Sequence, residues 1–101
     1  VWDSLAIIEY CADLTDPALY WPEDLAARAM ARSMAAEMHS SFAALRRECP
    51  MNVRRSVPMP ELSDETVADI NRILVLWAQA RARHGGSGPF LFGQWSAADM
   101  M

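Results

Sequence analysis

The sequence predicts an all-helical fold, and three observations carry that expectation. Apolar residues return every three or four positions through residues 4–13, 22–49 and 63–84. No stretch alternates apolar and polar residues as a half-buried strand does. Proline and glycine gather between those segments, where they punctuate turns and loops. At 52% hydrophobic and 22% charged, the 101 residues have the make-up of one ordinary domain, or of a piece of a larger one. A domain of this size buries roughly two-thirds of its unfolded surface, enough for a single modest core.

The first helix is expected from about Ser4 to Asp13, capped by Asp3 or Ser4. Leu5, Ile8 and Ala12 form its apolar stripe, which Ile7 and Cys11 widen. "LTDPALYWP" breaks the pattern, because a residue before proline is pushed out of the helical region. It reads as a linker anchored by Tyr20 and Trp21. Pro22 suits the first turn of a second helix, and Glu23 and Asp24 favour its positive end. No breaker follows for about seven turns, so one continuous helix is expected up to Cys49. Met30, Met34, Met38, Phe42 and Leu45 form its apolar stripe, and alanine and serine on the flanks let a neighbour approach closely. Arg46 and Arg47 suit its negative end.

"PMNVRRSVPMPEL" holds three prolines and reads as a loop. Ser63 caps a third helix with Asp64 and Glu65 in its first turn. Val67, Ile70, Leu74 and Trp77 mark its expected buried face, broadened by Ile73 and Leu76. Arg81, Arg83 and His84 end it, and Gly85 is the expected left-handed stop. The two long helices are expected to pair as an antiparallel hairpin. "GGSGPFLFGQW" is a turn-rich loop with aromatic plugs. Ser96 and Asp99 then have the spacing of a capping box, and Trp95 and Met100 that of a hydrophobic staple. That signal for a helix start comes at the very end of the chain, and Val1 is not a start methionine. The chain is expected to be the middle of a longer protein.

The net charge of −4 argues against a nucleic-acid partner, which needs a basic face. No apolar run approaches the ~20 residues that cross a bilayer, and no basic-start signal peptide is visible. All nine basic residues are arginine, a coding bias first and a supply of carboxylate-pairing groups second. Cys11 and Cys49 share no metal-like or CxxC spacing, so two reduced thiols and no metal site are expected.

The first place for chemistry is "WDSLAI". A helix N-terminus presents free amides and partial positive charge, which favour a carboxylate. Ser4 adds a hydroxyl, and Asp3 adds a negative charge suited to an ammonium group. Together they can hold both ends of an α-amino acid group. From spacing alone, an ordinary N-cap explains the same two residues.

The order of the motifs adds a further reading. "VWDSLAIIEY" resembles the E/D-S-x-A-I stretch that ends the thioredoxin-like domain of cytosolic glutathione transferases. "FLFGQWSAADMM" resembles the F-x-G-x-x-[FYW]-[ST]-x-A-D stretch that begins the sixth helix of the same family. The two occur in the family's order, about 90 residues apart, around a proline-marked linker and two long helices. The resemblance implies that residues 1–13 are the last helix of a thioredoxin-like domain and residues 14–21 an interdomain linker. Residues 22–101 are then a partial helical C-terminal domain, truncated at the start of its third helix. It also implies that Asp3 and Ser4 hold the γ-glutamyl end of glutathione, a co-substrate whose thiolate attacks a small apolar electrophile. Ser96 and Asp99 carry over as a folding element.

"AEMHSSF" resembles the E-x-H-x-x-F stretch of some bacterial glutathione transferases, whose histidine faces the active-site cleft. His39 matches it, and Arg32 lies two turns earlier on the same side. Met38 and Trp21 are expected beside them on the second substrate's wall. A half-buried interfacial histidine and a solvated arginine are the plainer alternatives. His84 is expected to act as a C-terminal charge on its helix. The Tyr, Ser or Cys that activates the glutathione sulfur has no counterpart in this sequence, so the chain alone is expected to be inactive. The complete protein implied is a cytoplasmic homodimeric enzyme without nucleic-acid or membrane partners. A non-catalytic interaction domain of the same fold, and a family isomerase or dehalogenase, are the alternatives.

Overall fold

The computed structural model describes residues 1–101 except 55 and 59. The described residues are mostly helical and contain no strand, only isolated bridges between Phe90 and Gly93 and between Phe92 and Gln94. Helix α1 spans Ser4–Leu14, α2 Leu25–Ser40, α3 Ala43–Glu48 and α4 Asp64–Ala80. A 3₁₀ turn at Pro17–Leu19 lies in the linker, a π-helical turn at Arg81–Gly85 extends α4, and a 3₁₀ turn forms at Ala97–Asp99. The loop expected over 50–62 has no helix or strand among its described residues, and positions 55 and 59 lie outside them.

Helix α2 starts three residues later than the sequence suggests. Asp24 is its N-cap, with the carboxylate accepting the Ala27 amide at 2.8 Å. A side-chain acceptor satisfies an orphan amide, which Pro22 at a first helical position does not. The expected seven-turn helix is also broken, at Ser41 and Phe42. Phe42 adopts the left-handed conformation, φ 64° and ψ 42°, an uncommon state for a bulky residue. Its side chain is buried in the core, so packing outweighs the backbone preference. The polar groups loosened by the break find partners. The Arg46 guanidinium donates to the carbonyls of Met38 and Ser41, and Asp69 on α4 accepts the Leu45 amide at 3.1 Å.

Helix α4 is antiparallel to the α2–α3 arm. Glu37 pairs with Arg72, the Leu45 amide with Asp69, and Glu48 with Ser63, so positions rise along one arm as they fall along the other. Arg72 grips Glu37 through two nitrogens at 2.6 and 2.9 Å. This bond, with the positive charge of Arg72, holds the Glu37 carboxyl below its usual range. Glu48 is held low by the hydroxyls of Thr66 and Ser63 and by the Ser63 amide. It thus clips the end of α3 to the residue that caps α4.

The core is richer in alanine than the methionine stripe suggests. Ala27, Ala31 and Ala35, four residues apart on α2, are all buried, with Ala31 fully so. Ala12, Ala80 and Ala97 join them. Met34 and Phe42 are buried, whereas Met30, Met38 and Leu45 are partly buried at the core edge. On α1, Ile8 and Ala12 are buried but Ile7 faces outward with Tyr10 and Leu14. On α4, Ile73 and Leu76 are buried as expected, but the centre of the buried face is rotated away from Val67, Leu74 and Trp77. Thr66, Ile73, Leu76 and Ala80 point inward, while Val67, Leu74 and Trp77 are exposed. The cause is the polar pairing with α3, which turns Thr66 and Asp69 toward the partner arm.

The end of α4 also differs. Gly85 is buried within the π-helical turn, and positive φ falls on Gly86 and Gly93 instead. Arg81 folds back to donate to the carbonyls of Phe90 and Gly88. Gly88 admits no side chain, since a Cβ there would lie 2.0 Å from the Gly93 carbonyl oxygen. His84 stacks on Phe92 with ring centroids 5.8 Å apart.

The capping box of Ser96 and Asp99 is formed. Asp99 accepts the Ser96 amide at 2.9 Å and its hydroxyl at 3.0 Å through one oxygen, and the Leu91 amide at 2.9 Å through the other. The Ala97 amide donates to the Tyr20 carbonyl at 2.7 Å, tying this turn to the linker. Tyr20 and Trp21 are anchors as expected, with Trp21 buried. Trp95 and Met100 both remain substantially exposed.

Two expectations follow. Asp99→Ala deprives three donors of an acceptor and is expected to lower the stability of the protein by about 2–4 kcal/mol, against about 1 kcal/mol for Ser96→Ala. Equal losses in chemical denaturation would contradict the hub role of Asp99. Glu37 and Glu48 both have lowered pKa values when folded, so their stabilisation is complete above about pH 4.5 and is lost as pH falls through the folded values. Denaturation midpoints are expected to drop on acidification below that point, and to drop less in a Glu37→Gln, Glu48→Gln double variant. Identical acid profiles would contradict the assignment.

Candidate functional site

Helices α1 and α2 are antiparallel, since Ser4 meets His39 and Glu9 meets Arg32. This register carries the last turn of α2 to the first turn of α1. Asp3 is the N-cap of α1, with φ 80° and ψ 128°, and its Oδ1 accepts the Leu5 amide at 2.9 Å. The positive φ is strained for a residue with a Cβ, of order 1–3 kcal/mol, and persists only where its surroundings over-determine it. The amides of Ser4 and Ala6 have no acceptor within the helix.

His39 bridges Asp3 and Ser4. Its Nε2 lies 3.0 Å from Asp3 Oδ2, and its Nδ1 lies 3.2 Å from the Ser4 hydroxyl. With Nε2 protonated, the ring donates to Asp3 and accepts from Ser4. With both nitrogens protonated, Ser4 must accept instead. The cluster is open to solvent, the His39 and Asp3 side chains being 36% and 43% exposed. Asp3, Ser4 and His39, the last 35 positions beyond Ser4, thus form one hydrogen-bonded group.

The remaining cleft candidates separate. Arg32 pairs with Glu9 at 2.8 Å and lies over the Trp21 ring, 5.5 Å from its centroid. The Trp21 indole N–H is buried without a hydrogen-bond partner among the described residues. Trp21 borders a cavity of about 470 Å³ shared with Asp24, His84 and Phe92. Met38, adjacent to His39, instead lines an apolar groove of about 400 Å³ with Met34, Leu76, Trp77 and Trp95. Sequence reasoning assigned Trp77 to the core and Trp95 to a staple, and it passed over Glu9. The signal for Glu9 was present: it is the one acid in the interior of α1, at a position where an arginine from α2 can reach it.

Among the described residues, no group of three His, Cys, Asp or Glu side chains could hold a metal ion, and no helix is long and apolar enough to cross a membrane. Cys11 and Cys49 are both free. No protein-family model matches the chain, and no curated protein matches it.

Arg32 covers Trp21 as well as pairing with Glu9, and exposed ion pairs contribute little. Arg32→Ala is expected to cost about 1 kcal/mol, mainly through lost stacking, and Glu9→Gln distinctly less. A Glu9→Gln loss as large as that of Arg32→Ala would contradict this division.

Proposed function

We propose that this chain is part of a glutathione transferase, in which Asp3 and Ser4 hold the γ-glutamyl end of glutathione. The observation that carries the reading is the convergence of Asp3, Ser4 and His39 at the start of α1, with strain stored at Asp3. Strained backbone at a solvent-open polar cluster favours a binding role over a plain helix cap. The ligand carboxylate is received by the Ser4 hydroxyl and the free first-turn amides, and its ammonium by Asp3. Both charges are met by groups of opposite character about one residue apart.

In this reading the sulfur activator and the rest of the tripeptide site are supplied by segments outside this chain. The apolar groove beside Met38 contributes to the wall for the electrophile. The complete protein is a cytoplasmic homodimeric enzyme, residues 1–13 belonging to its thioredoxin-like domain and residues 22–101 to its helical domain. An isomerase or dehalogenase of the same family would use the same clamp on the same co-substrate.

One observation favours a second reading, a non-catalytic interaction module. Ile7, Tyr10 and Leu14 on α1, and Val67, Leu74 and Trp77 on α4, form exposed apolar faces suited to protein partners. Such a module has no use for an amino-acid clamp.

Ser4→Ala in the full-length protein is expected to weaken glutathione binding about tenfold or more, the loss of a hydrogen bond to a charged group, with the helical circular dichroism unchanged. Unchanged affinity by calorimetry would refute the clamp and favour the interaction module.

A further inference from the structure

We infer that the cavity beside Trp21 is a binding site for a small uncharged aromatic amide, a flat ring whose edge carries a carbonyl next to an N–H. The cavity shares no residue with the Asp3–Ser4–His39 cluster and does not depend on the glutathione reading.

The carrying observation is an unmet hydrogen bond. Trp21 is 2% exposed, and its indole N–H is buried with no acceptor among the described residues. That N–H is the side chain's one polar group, and it can only donate. Burying it unpaired costs stability, and such groups in folded proteins as a rule meet an acceptor. Away from the cavity none is at hand. Trp21 belongs to the alanine-rich apolar core, and the Arg32 guanidinium over its ring carries donors alone. The acceptor therefore has to come from the cavity of about 470 Å³ that Trp21 lines.

The other lining groups select the occupant. His84 and Phe92 are stacked, with 27° between their ring planes, and form an almost flat aromatic wall. A planar ring packs on such a wall by offset stacking. Glu23 and Asp24 line the cavity too. Asp24 spends Oδ1 on the Ala27 amide, whereas the Glu23 carboxylate has no partner among the described residues. A ligand carbonyl takes the Trp21 proton, and the N–H beside it donates to Glu23.

Other classes of ligand fail on one of these groups. A carboxylate or phosphate answers Trp21 but meets two like charges. An ammonium or guanidinium answers Glu23 but brings no acceptor, so the buried donor stays unpaired. A hydrocarbon answers neither. The cavity volume is within the range of small-molecule sites and accommodates a single substituted ring.

The test is a heteronuclear NMR titration of the protein with benzamide, following the Trp21 indole N–H, with benzoate as the charged control. Benzamide is expected to move that resonance and to saturate with a Kd on the order of 1 mM. Benzoate is expected to bind about tenfold or more weakly. Trp21→Phe keeps a ring and removes the donor, and is expected to weaken benzamide about threefold or more. Glu23→Ala, at an exposed position outside the helix caps, is expected to weaken benzamide to a similar degree and to narrow its advantage over benzoate. That variant decides if Trp21→Phe does not fold. An indole resonance unmoved about tenfold above the expected Kd would leave ordered water as the partner of Trp21 and overturn the site. Benzoate binding as tightly as benzamide, or a folded Glu23→Ala with wild-type affinity and preference, would overturn it as well.

Discussion

The close approach of helices to the alanine face of α2 is the constraint on which the rest of the structure depends. Ala27, Ala31 and Ala35 leave no side chain to hold a neighbour away, and all three are buried. Helix α1 and the Ala97–Asp99 turn both pack against α2. The contacts that define the candidate site depend on that spacing. The short Ser4 side chain reaches His39, and Glu9 meets Arg32, along the same contact between α1 and α2, while Arg32 also covers Trp21 of the linker. A leucine in the place of one alanine would separate these groups by more than a hydrogen bond can span.

Polar contacts then set how the second arm lies on the first. The break at Phe42 turns α3 out of line with α2, and the groups it exposes are met by Arg46 and Asp69. Glu48 reaches across to Ser63, the cap of α4, and Arg72 grips Glu37 further along. These bonds choose the rotation of α4. They turn Thr66, Ile73 and Leu76 inward and leave Val67, Leu74 and Trp77 outside, although both sets are apolar enough to serve as a buried face.

Helix periodicity made the all-helical class, the linker and the antiparallel hairpin legible, because 3.6-residue spacing is a local property. The caps at Asp3 and Ser63 and the box at Ser96 and Asp99 were legible for the same reason. The rotation of α4 was not, since Val67–Leu74–Trp77 and Ile73–Leu76–Ala80 have equal claims until a partner arm is in position. Nor was the break at Phe42, where a residue without breaking character is forced left-handed by its buried side chain. At the site, motif likeness singled out Asp3, Ser4 and His39, and the fold joins them. It also singled out Arg32, Trp21 and Met38, which the fold divides between a stacked ion pair and an apolar groove.

A strained N-cap, a hydroxyl and an imidazole are held together by hydrogen bonds between α1 and α2, and the proposed function places one α-amino acid end there. Asp3 carries the negative charge, Ser4 and the start of α1 carry donors, and His39 touches both residues. The most direct test is a crystal structure of the protein grown with S-methylglutathione. The proposed reading predicts the γ-glutamyl carboxylate on Ser4 and its ammonium on Asp3. Density for the ligand elsewhere, with Asp3 and Ser4 free of it, would contradict it.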